Sequence, residues 1–500
     1  MLEAKDLTLT LTKNGRNLVE QFDFILHPGD KVAIIGEEGN GKSTLVKYLY
    51  DPALVANYCE ATGRVSRKGR LAYLPQQLPR ALASVTLEDF FTGAELWRLP
   101  DELALGAAWV CSKQTLGTLS GGEKVKAQLA KLLLNGPDAL LLDEPTNDLD
   151  IETLEWMERF LKSTPLPVLF ISHDETLLRN TANVIVHMEQ LRRKNVCRVT
   201  VVRTDYETYV NQRRLGFEKQ SQIAQKQRDD YERQMARWRR IHDRVEHEQN
   251  TIPRGDPHGG RLLKKKMASV LAQGRRFERE REQFTDFPDE EEAILSAFSQ
   301  QIRLPRGKAV LELCLPELRV EERLLAKDVR LHVCGGAHIG ITGRNGAGKS
   351  TLLAEIWRQL ETRRDITPAY MPQNYAERLD CTQTPLEFLN ASYDKALVER
   401  ARTFLGSMRF THEEMMGKIA ALSGGQQAKL LFLDMVLREA NVLVLDEPTR
   451  NFSPLSAPVI RAALRSFGGT IISVSHDRLF LSGVCDEVYA LTETGLLRTR

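Results

Sequence analysis

Four segments of this 500-residue sequence occur twice, in one order. GEEGNGKST at 36–44 returns as GRNGAGKST at 343–351, and LSGGEK at 119–124 returns as LSGGQQ at 422–427. LLLDEPT at 140–146 returns as VLVLDEPT at 442–449, and ISHD at 171–174 as VSHD at 474–477. Ser120 lies 23 positions before Asp143, as Ser423 does before Asp446; Asp143 lies 30 before His173, as Asp446 does before His476. A period this long means two copies of one domain, 1–206 and 291–500, around a different segment at 207–290. Each copy is long enough to bury its own core.

Within a copy, VAIIGEEGNGKSTLVKYL reads as a buried strand, a glycine-rich loop and the start of a helix. That order suits a phosphate cradle, because backbone N–H groups at a helix N-terminus can wrap an anion. Gly36, Gly39 and Gly41 shape the loop, Lys42 reaches the β- and γ-phosphates, and Ser43 and Thr44 open the helix, with the Ser43 hydroxyl placed on Mg²⁺. Gly343, Gly346, Gly348, Lys349, Ser350 and Thr351 repeat the set. LLLDEP is an apolar strand ending in two carboxylates. Asp143 and Asp446 are expected in the Mg²⁺ shell, and Glu144 and Glu447 beside the attacking water. His173 and His476 follow the strands VLFIS and IISVS, at a strand end facing the γ-phosphate. A lone acid pair or a lone histidine would be read as structural; their matched offsets favour function.

A P-loop, LSGG, LLLDEP and SHD in this order resemble the ATP-binding cassette (ABC) superfamily, with LSGG the distinguishing element. The resemblance implies an α/β fold with two P-loop cassettes docked head to tail around two ATP molecules. One site would combine Lys42, Ser43, Asp143, Glu144 and His173 with Ser423, Gly424 and Gly425 of the other copy. The second would combine Lys349, Ser350, Asp446, Glu447 and His476 with Ser120, Gly121 and Gly122. Gln76 in YLPQQ and Gln373 in YMPQN sit where the family has a metal-contacting glutamine. Two departures stand out. TNDLD ends in Asp150, as the family's D-loop does, whereas TRNFSPLS in the second copy has no matching aspartate, so unequal sites are expected. Neither LTLTKNGRNL nor LRVEERLL supplies an aromatic for stacking on adenine, which leaves the base contacts unassigned.

Between the copies the composition changes. From Thr208 to Asn250 there is no proline and one glycine, Gly216, among many Gln, Arg, Lys and Glu residues. Tyr231, Met235, Trp238, Ile241 and Val245 recur at helical steps, and Leu263, Met267, Val270, Leu271 and Phe277 do so after the breaker-rich TIPRGDPHGG at 251–260. The pattern predicts an antiparallel α-helical hairpin whose first helix, of about 43 residues, would reach some 65 Å. Whole-chain charge is balanced, 69 Lys+Arg against 67 Asp+Glu, so only local clustering can suggest a polyanionic partner. It does so at the hairpin: Arg254, Arg261, Lys264, Lys265, Lys266, Arg275, Arg276, Arg279 and Arg281 face Asp256, Glu278 and Glu280. A charge run is ordinarily a solvated face; RLLKKK at the end of a projecting hairpin has the geometry to enter a phosphate-rich groove. Arg261, Lys264, Lys265, Lys266, Arg275 and Arg276 are the expected RNA contacts.

Tandem cassettes with a basic helical linker resemble the ABC-F family over nearly the whole chain. That resemblance implies an ATPase that closes on the ribosome with ATP and Mg²⁺, its linker reaching toward the peptidyl tRNA and the peptidyl-transferase centre. The short stretches Gln76–Ser120 and Gln373–Ser423 leave no room for inserted arm helices, and the chain stops soon after His476. This outline most resembles members that protect ribosomes from antibiotics; a housekeeping translation factor stays close behind. The rival from another class is the ATP-hydrolysing subunit of a membrane exporter, in which the basic hairpin has no role. A DNA-maintenance ATPase is less favoured, since its coiled coil would interrupt a cassette. Seven scattered cysteines without a CxxC pair argue against a disulfide scaffold or structural metal. The first residues lack the pattern of a signal peptide and no apolar run approaches the ~18 residues of a membrane span. A cytoplasmic monomer with an intramolecular cassette dimer is the resulting expectation.

Overall fold

The computed structural model describes residues 2–96, 99, 103, 106–147, 149–191, 196–251, 257–282, 284–285, 302–389, 395–408 and 410–500. By its internal contacts the chain divides into two compact units. Met1–Tyr206 with Glu291–Arg500 form one, and Glu207–Glu290 the other.

The first unit contains two six-stranded sheets of the same order. In the first copy the strands run Leu71–Leu74, Ala139–Leu142, Val168–Ile171, Lys31–Gly36, Val184–Leu191 and Val196–Val202, parallel except for the last. In the second they run Pro368–Met371, Val442–Asp446, Thr470–Val474, His338–Thr342, Glu487–Thr492 and Gly495–Arg498, again with only the last antiparallel. The three inner strands Lys31–Gly36, Ala139–Leu142 and Val168–Ile171 are buried throughout. Continuous burial is what a parallel sheet covered on both faces requires, and it explains why KVAIIG, ALLL and VLFI are runs rather than alternations. The P-loop, the DE pair and the histidine each follow the carboxyl end of one of these neighbouring strands, so three motifs far apart in sequence open at one sheet edge.

Each copy adds antiparallel strands outside its six-stranded sheet. Leu2–Leu11 pairs with Asn17–Leu26 and with Cys59–Arg67. In the second copy the hairpin of Ala309–Val320 and Arg323–Cys334 stands as a two-stranded sheet. The chain there passes directly from the helix Lys349–Glu361 to the strand Pro368–Met371, leaving no length for a third strand. Among the described residues no helix is long and apolar enough to cross a membrane.

The second unit contains the helices Tyr206–Thr251, which begins at the end of the first unit, and Pro257–Glu282. They run antiparallel: the Trp238 indole N–H donates to the Val270 carbonyl at 2.7 Å, and nearer the other end Tyr231 meets Phe284 edge-on at 5.6 Å. The buried seam corrects the apolar stripe expected from sequence. Ile241 is 47% exposed and Leu271 41% exposed. His242, stacked beside Trp238 at 5.1 Å, and the buried Gly274 take those places. Alternating steps of three and four keep a seam on one side of a helix of 3.6 residues per turn, and Ile241 and Leu271 fall one position off it. A Cβ at Gly274 would lie 3.0 Å from the Trp238 ring, so the seam closes on a glycine where an apolar side chain had been expected. Arg254 and Asp256 of the expected tip, and the 290/291 boundary, lie outside the described residues.

Candidate functional site

Both P-loops adopt one backbone course. Gly36, Gly39 and Gly41 have φ of 147°, 79° and 90°, and Gly343, Gly346 and Gly348 have 152°, 78° and 96°. These angles suit glycine, and space adds a second demand: a Cβ on Gly36 would sit 2.3 Å from the Met188 carbonyl. The lysine of each loop folds back on it. Lys42 Nζ donates to the Gly36 and Glu37 carbonyls at 2.7 and 3.0 Å, and Lys349 Nζ to those of Gly343 and Arg344 at 2.8 and 2.9 Å. Burial pushes both ammonium groups below the usual lysine range, with nearby carboxylates opposing it. Ser43, Thr44, Ser350 and Thr351 lie in the first turns of the helices Lys42–Tyr50 and Lys349–Glu361.

The carboxylates stand at the same sheet edge. Ser43 Oγ donates to Asp143 at 2.7 Å and the Tyr73 hydroxyl donates to its other oxygen at 3.0 Å. Asp446 is bonded by Ser350, but its Oδ2 is buried without a partner. Burial raises both aspartates. Glu144 and Glu447 have φ of 51° and 52°, a left-handed conformation that non-glycine residues rarely adopt and that costs about 1–3 kcal/mol. Each lies near its histidine: His173 Nε2 is 3.6 Å from Glu144, and His476 Nε2 is 3.7 Å from Glu447.

The two glutamates nevertheless differ. Glu144 accepts from Gln76 at 2.8 Å and Asn147 at 2.5 Å. Burial pushes its carboxyl up, but His173, Lys42 and Asn147 outweigh burial and hold it down at about 2. Glu447 accepts from the His476 backbone N–H at 3.2 Å, and its Oε1 is buried without a hydrogen-bond partner. Burial pushes this carboxyl up to about 8, and pushes His476 down to about 4.

The same division runs through the contacts between copies. At the first P-loop, the Gly425 N–H donates to Glu38 at 2.5 Å, Ser456 Oγ donates to Glu37 at 2.8 Å, and His173 Nδ1 lies 2.9 Å from the Phe452 carbonyl. At the second P-loop, the backbone N–H of Asn345 bonds the Asp150 carboxylate, and a cavity of about 540 Å³ opens. Its lining includes Lys349, Ser350, Gln373, Asp446, Glu447 and His476, with Asn147 and Leu149 from the first copy. That volume lies within the roughly 300–1,000 Å³ of ligand clefts. Orphaned carboxylate oxygens on Asp446 and Glu447, beside a lysine and a serine hydroxyl, fit a divalent cation and a bound phosphate.

Each signature serine caps its helix. Ser120 caps Gly121–Leu134 and Ser423 caps Gly424–Leu437, both in capping boxes with Glu123 and Gln426. Among the described residues, only the second signature is brought onto the opposite P-loop, through Gly425. Ser120 is exposed and outside the cavity lining, and Gly122 packs against Thr153, where a Cβ would meet Oγ1 at 2.6 Å. The expected grouping of Ser120, Gly121 and Gly122 with Lys349 is therefore not one of contact here. Tyr73, Asn147, Glu37 and Glu38 lie inside the quoted motifs without an assigned role, but the last two stand out when 36–44 is aligned with 343–351, where Arg344 and Asn345 replace them.

In the helical unit, Arg261, Lys264, Lys265, Lys266, Arg275 and Arg276 are all exposed. Arg276 pairs with Glu280 one turn on, at 2.8 Å.

The profile of the family described as ABC transporter matches residues 19–147 and 326–450. The ribosome protection protein VmlR of Bacillus subtilis (strain 168) is 30% identical over 480 residues, covering 94% of this chain and 83% of that protein. ABC transporter F family member 5 of Arabidopsis thaliana is 29% identical over 442 residues, 84% of this chain, and the chain spans 57% of that relative's length. Among solved structures, the complex of the archaeal ribosome recycling factor aABCE1 with the stalk protein aP1 has a similar fold. Its TM-score is 0.59 at 18% identity, over 99% of this chain and 90% of that one. The chain belongs to the ABC-F family, and is an ATPase built from two ATP-binding cassettes.

Proposed function

We propose that this ATPase binds the ribosome when its cassettes close on ATP, that the basic hairpin reaches toward the peptidyl tRNA and the peptidyl-transferase centre, and that hydrolysis releases it. Protection of translation from antibiotics is the favoured outcome. The observation that carries this reading is the exposed cluster Arg261, Lys264, Lys265, Lys266, Arg275 and Arg276 on a hairpin between two complete cassettes. The similarity to a ribosome protection protein across 94% of the chain supports it. A housekeeping role in translation would use the same parts.

In the proposed chemistry the P-loop amides with Lys42 and Lys349 bind the phosphates, and Ser43, Asp143 and Gln76, or Ser350, Asp446 and Gln373, hold Mg²⁺. That ion, when bound, neutralises charge on the β- and γ-phosphate oxygens. Glu144 and Glu447 orient and polarise water, with His173 and His476 positioning them. The strained backbone of both glutamates keeps each carboxyl group fixed at the sheet edge before substrate arrives.

The test is co-sedimentation of the protein with ribosomes, with and without ATP, across a salt series. Neutralising Arg261, Lys264, Lys265 and Lys266 together should weaken binding and flatten the log–log salt slope by up to about one per lost phosphate contact. ATP hydrolysis by the free protein should persist. No ribosome binding by the parent protein would return the exporter subunit to first place.

A further inference from the structure

The first P-loop carries two consecutive acids, Glu37 and Glu38, where the second carries Arg344 and Asn345. A loop built to hold a triphosphate gains nothing from negative charge of its own. Both carboxylates face the second copy, and both are held by it. Glu38 takes the Gly425 N–H, an amide in the first turn of the 14-residue signature helix Gly424–Leu437. Such first-turn amides have no partner within the helix and attract anions. Glu37 accepts from Ser456 at 2.8 Å and from Ser453 at 3.3 Å, and lies 3.5 Å from Lys429 Nζ. Ser453, Ser456 and Lys429 are 4, 5 and 5% exposed.

Their counterparts are used differently. Ser453 stands at the position of Asp150, and an acid there would repel Glu37; the departure of TRNFSPLS from the D-loop pattern is thereby explained as the complement of the acidic P-loop. Lys126, the counterpart of Lys429, lies over the Trp156 ring at 4.9 Å. Donor and acceptor have exchanged sides: at the second P-loop the acid belongs to the D-loop, as Asp150, and the P-loop supplies the N–H.

We infer that Glu37 and Glu38 form a built-in anionic latch, holding the first P-loop against the opposite signature helix without nucleotide, so that ATP enters that site only by expelling Glu38 from the Gly425 amide. The second P-loop also meets the other copy, through Asn345–Asp150 and the exposed Arg344–Glu152 pair at 3.4 Å, but it opens on a cavity, and it loads first. The latch rests on the reading that both P-loops bind ATP phosphates, and it makes Glu37 and Glu38 positioning residues.

The experiment uses the full chain in a Lys349→Ala background, so that ATP binding reports on the first P-loop, and equilibrium dialysis with labelled ATP. Glu38→Asn, which installs the residue of the second copy, should tighten ATP binding by roughly tenfold, since a negative charge beside the phosphates is removed. In nucleotide-free protein, amide exchange over 424–437 should become faster. Ser456→Ala, which leaves the P-loop unaltered, should speed that exchange too and serves if the first variant folds poorly. Unchanged or weaker ATP binding in Glu38→Asn, or unchanged exchange in both variants, overturns the latch. A Lys42→Ala/Lys349→Ala control that still binds ATP would instead overturn the P-loop reading, so the two failures are distinguishable.

Discussion

The two cassettes share a fold and a motif set, yet they meet with opposite charge. At one pair of equivalent positions the first copy has Glu158 and the second Arg461; at another the first has Glu175 and the second Arg478. These residues pair across the interface: Arg461 donates to Glu175 at 2.5 Å and Arg478 to Glu158 at 3.2 Å. Glu37 and Arg344 are a third exchange of the same sense. Two first copies facing each other would bring Glu158 against Glu175, and two second copies Arg461 against Arg478. Like-charge juxtaposition at a desolvated contact suppresses wrong partners, so the difference teaches that the halves are specified to pair with each other. It also teaches that the two nucleotide sites are different environments: at one, Glu38 takes the opposite Gly425 amide, while the other opens on a cavity and carries carboxylate oxygens without hydrogen-bond partners.

The largest expected effect tests what the sites have in common. Glu144→Gln with Glu447→Gln should retain ATP binding and lower steady-state hydrolysis by about 10²-fold or more, because the phosphate cradle is intact while charge at the water is lost. A near-parental rate would break the assignment for both sites at once.

Reversing the charge pattern is next. Arg461→Glu with Arg478→Glu sets two new carboxylates among Glu158, Glu175, Asp174 and Asp477, with the Glu175 and Glu158 side chains only 3% and 14% exposed. It should weaken the interface by about 3–5 kcal/mol, read as a fall in thermal unfolding temperature and in ATPase rate. Adding Glu158→Arg and Glu175→Arg should restore most of the loss. Absence of rescue would mean that the pairs are packing contacts whose sign is incidental.

The smallest effect is the sharpest for site asymmetry. Glu144→Gln and Glu447→Gln, made singly, should leave ATPase rates that differ several-fold, since Glu144 is held by Gln76 and Asn147 while Glu447 has an unpartnered oxygen. Equal rates would show that the structural difference is silent in turnover.

Much of this was legible in the sequence because the chemistry is local. A P-loop closes within nine residues, its positive glycine angles are a local requirement of the turn, and a capping box spans four residues, so spacing carries them. The expected departure at TRNFSPLS was visible as a missing aspartate, but its meaning was not, because Ser453 meets Glu37 from 416 positions away. The strained φ of Glu144 and Glu447 left no trace in composition, and Tyr73 reached Asp143 only through the pairing of the strands Leu71–Leu74 and Ala139–Leu142. In the hairpin, apolar character misled at Ile241 and Leu271, since the seam is chosen by angular position and accepts His242 and Gly274 in their place.

By itself the sequence determined two nucleotide-binding folds, a basic helical hairpin and the identity of each motif, since these follow from short-range backbone sterics and periodic burial. Tertiary structure alone decided which signature helix meets which P-loop and which site is clasped. Those outcomes depend on how two folded surfaces dock: an N–H and a carboxylate 387 residues apart, Gly425 and Glu38, form a bond only once both cassettes are built.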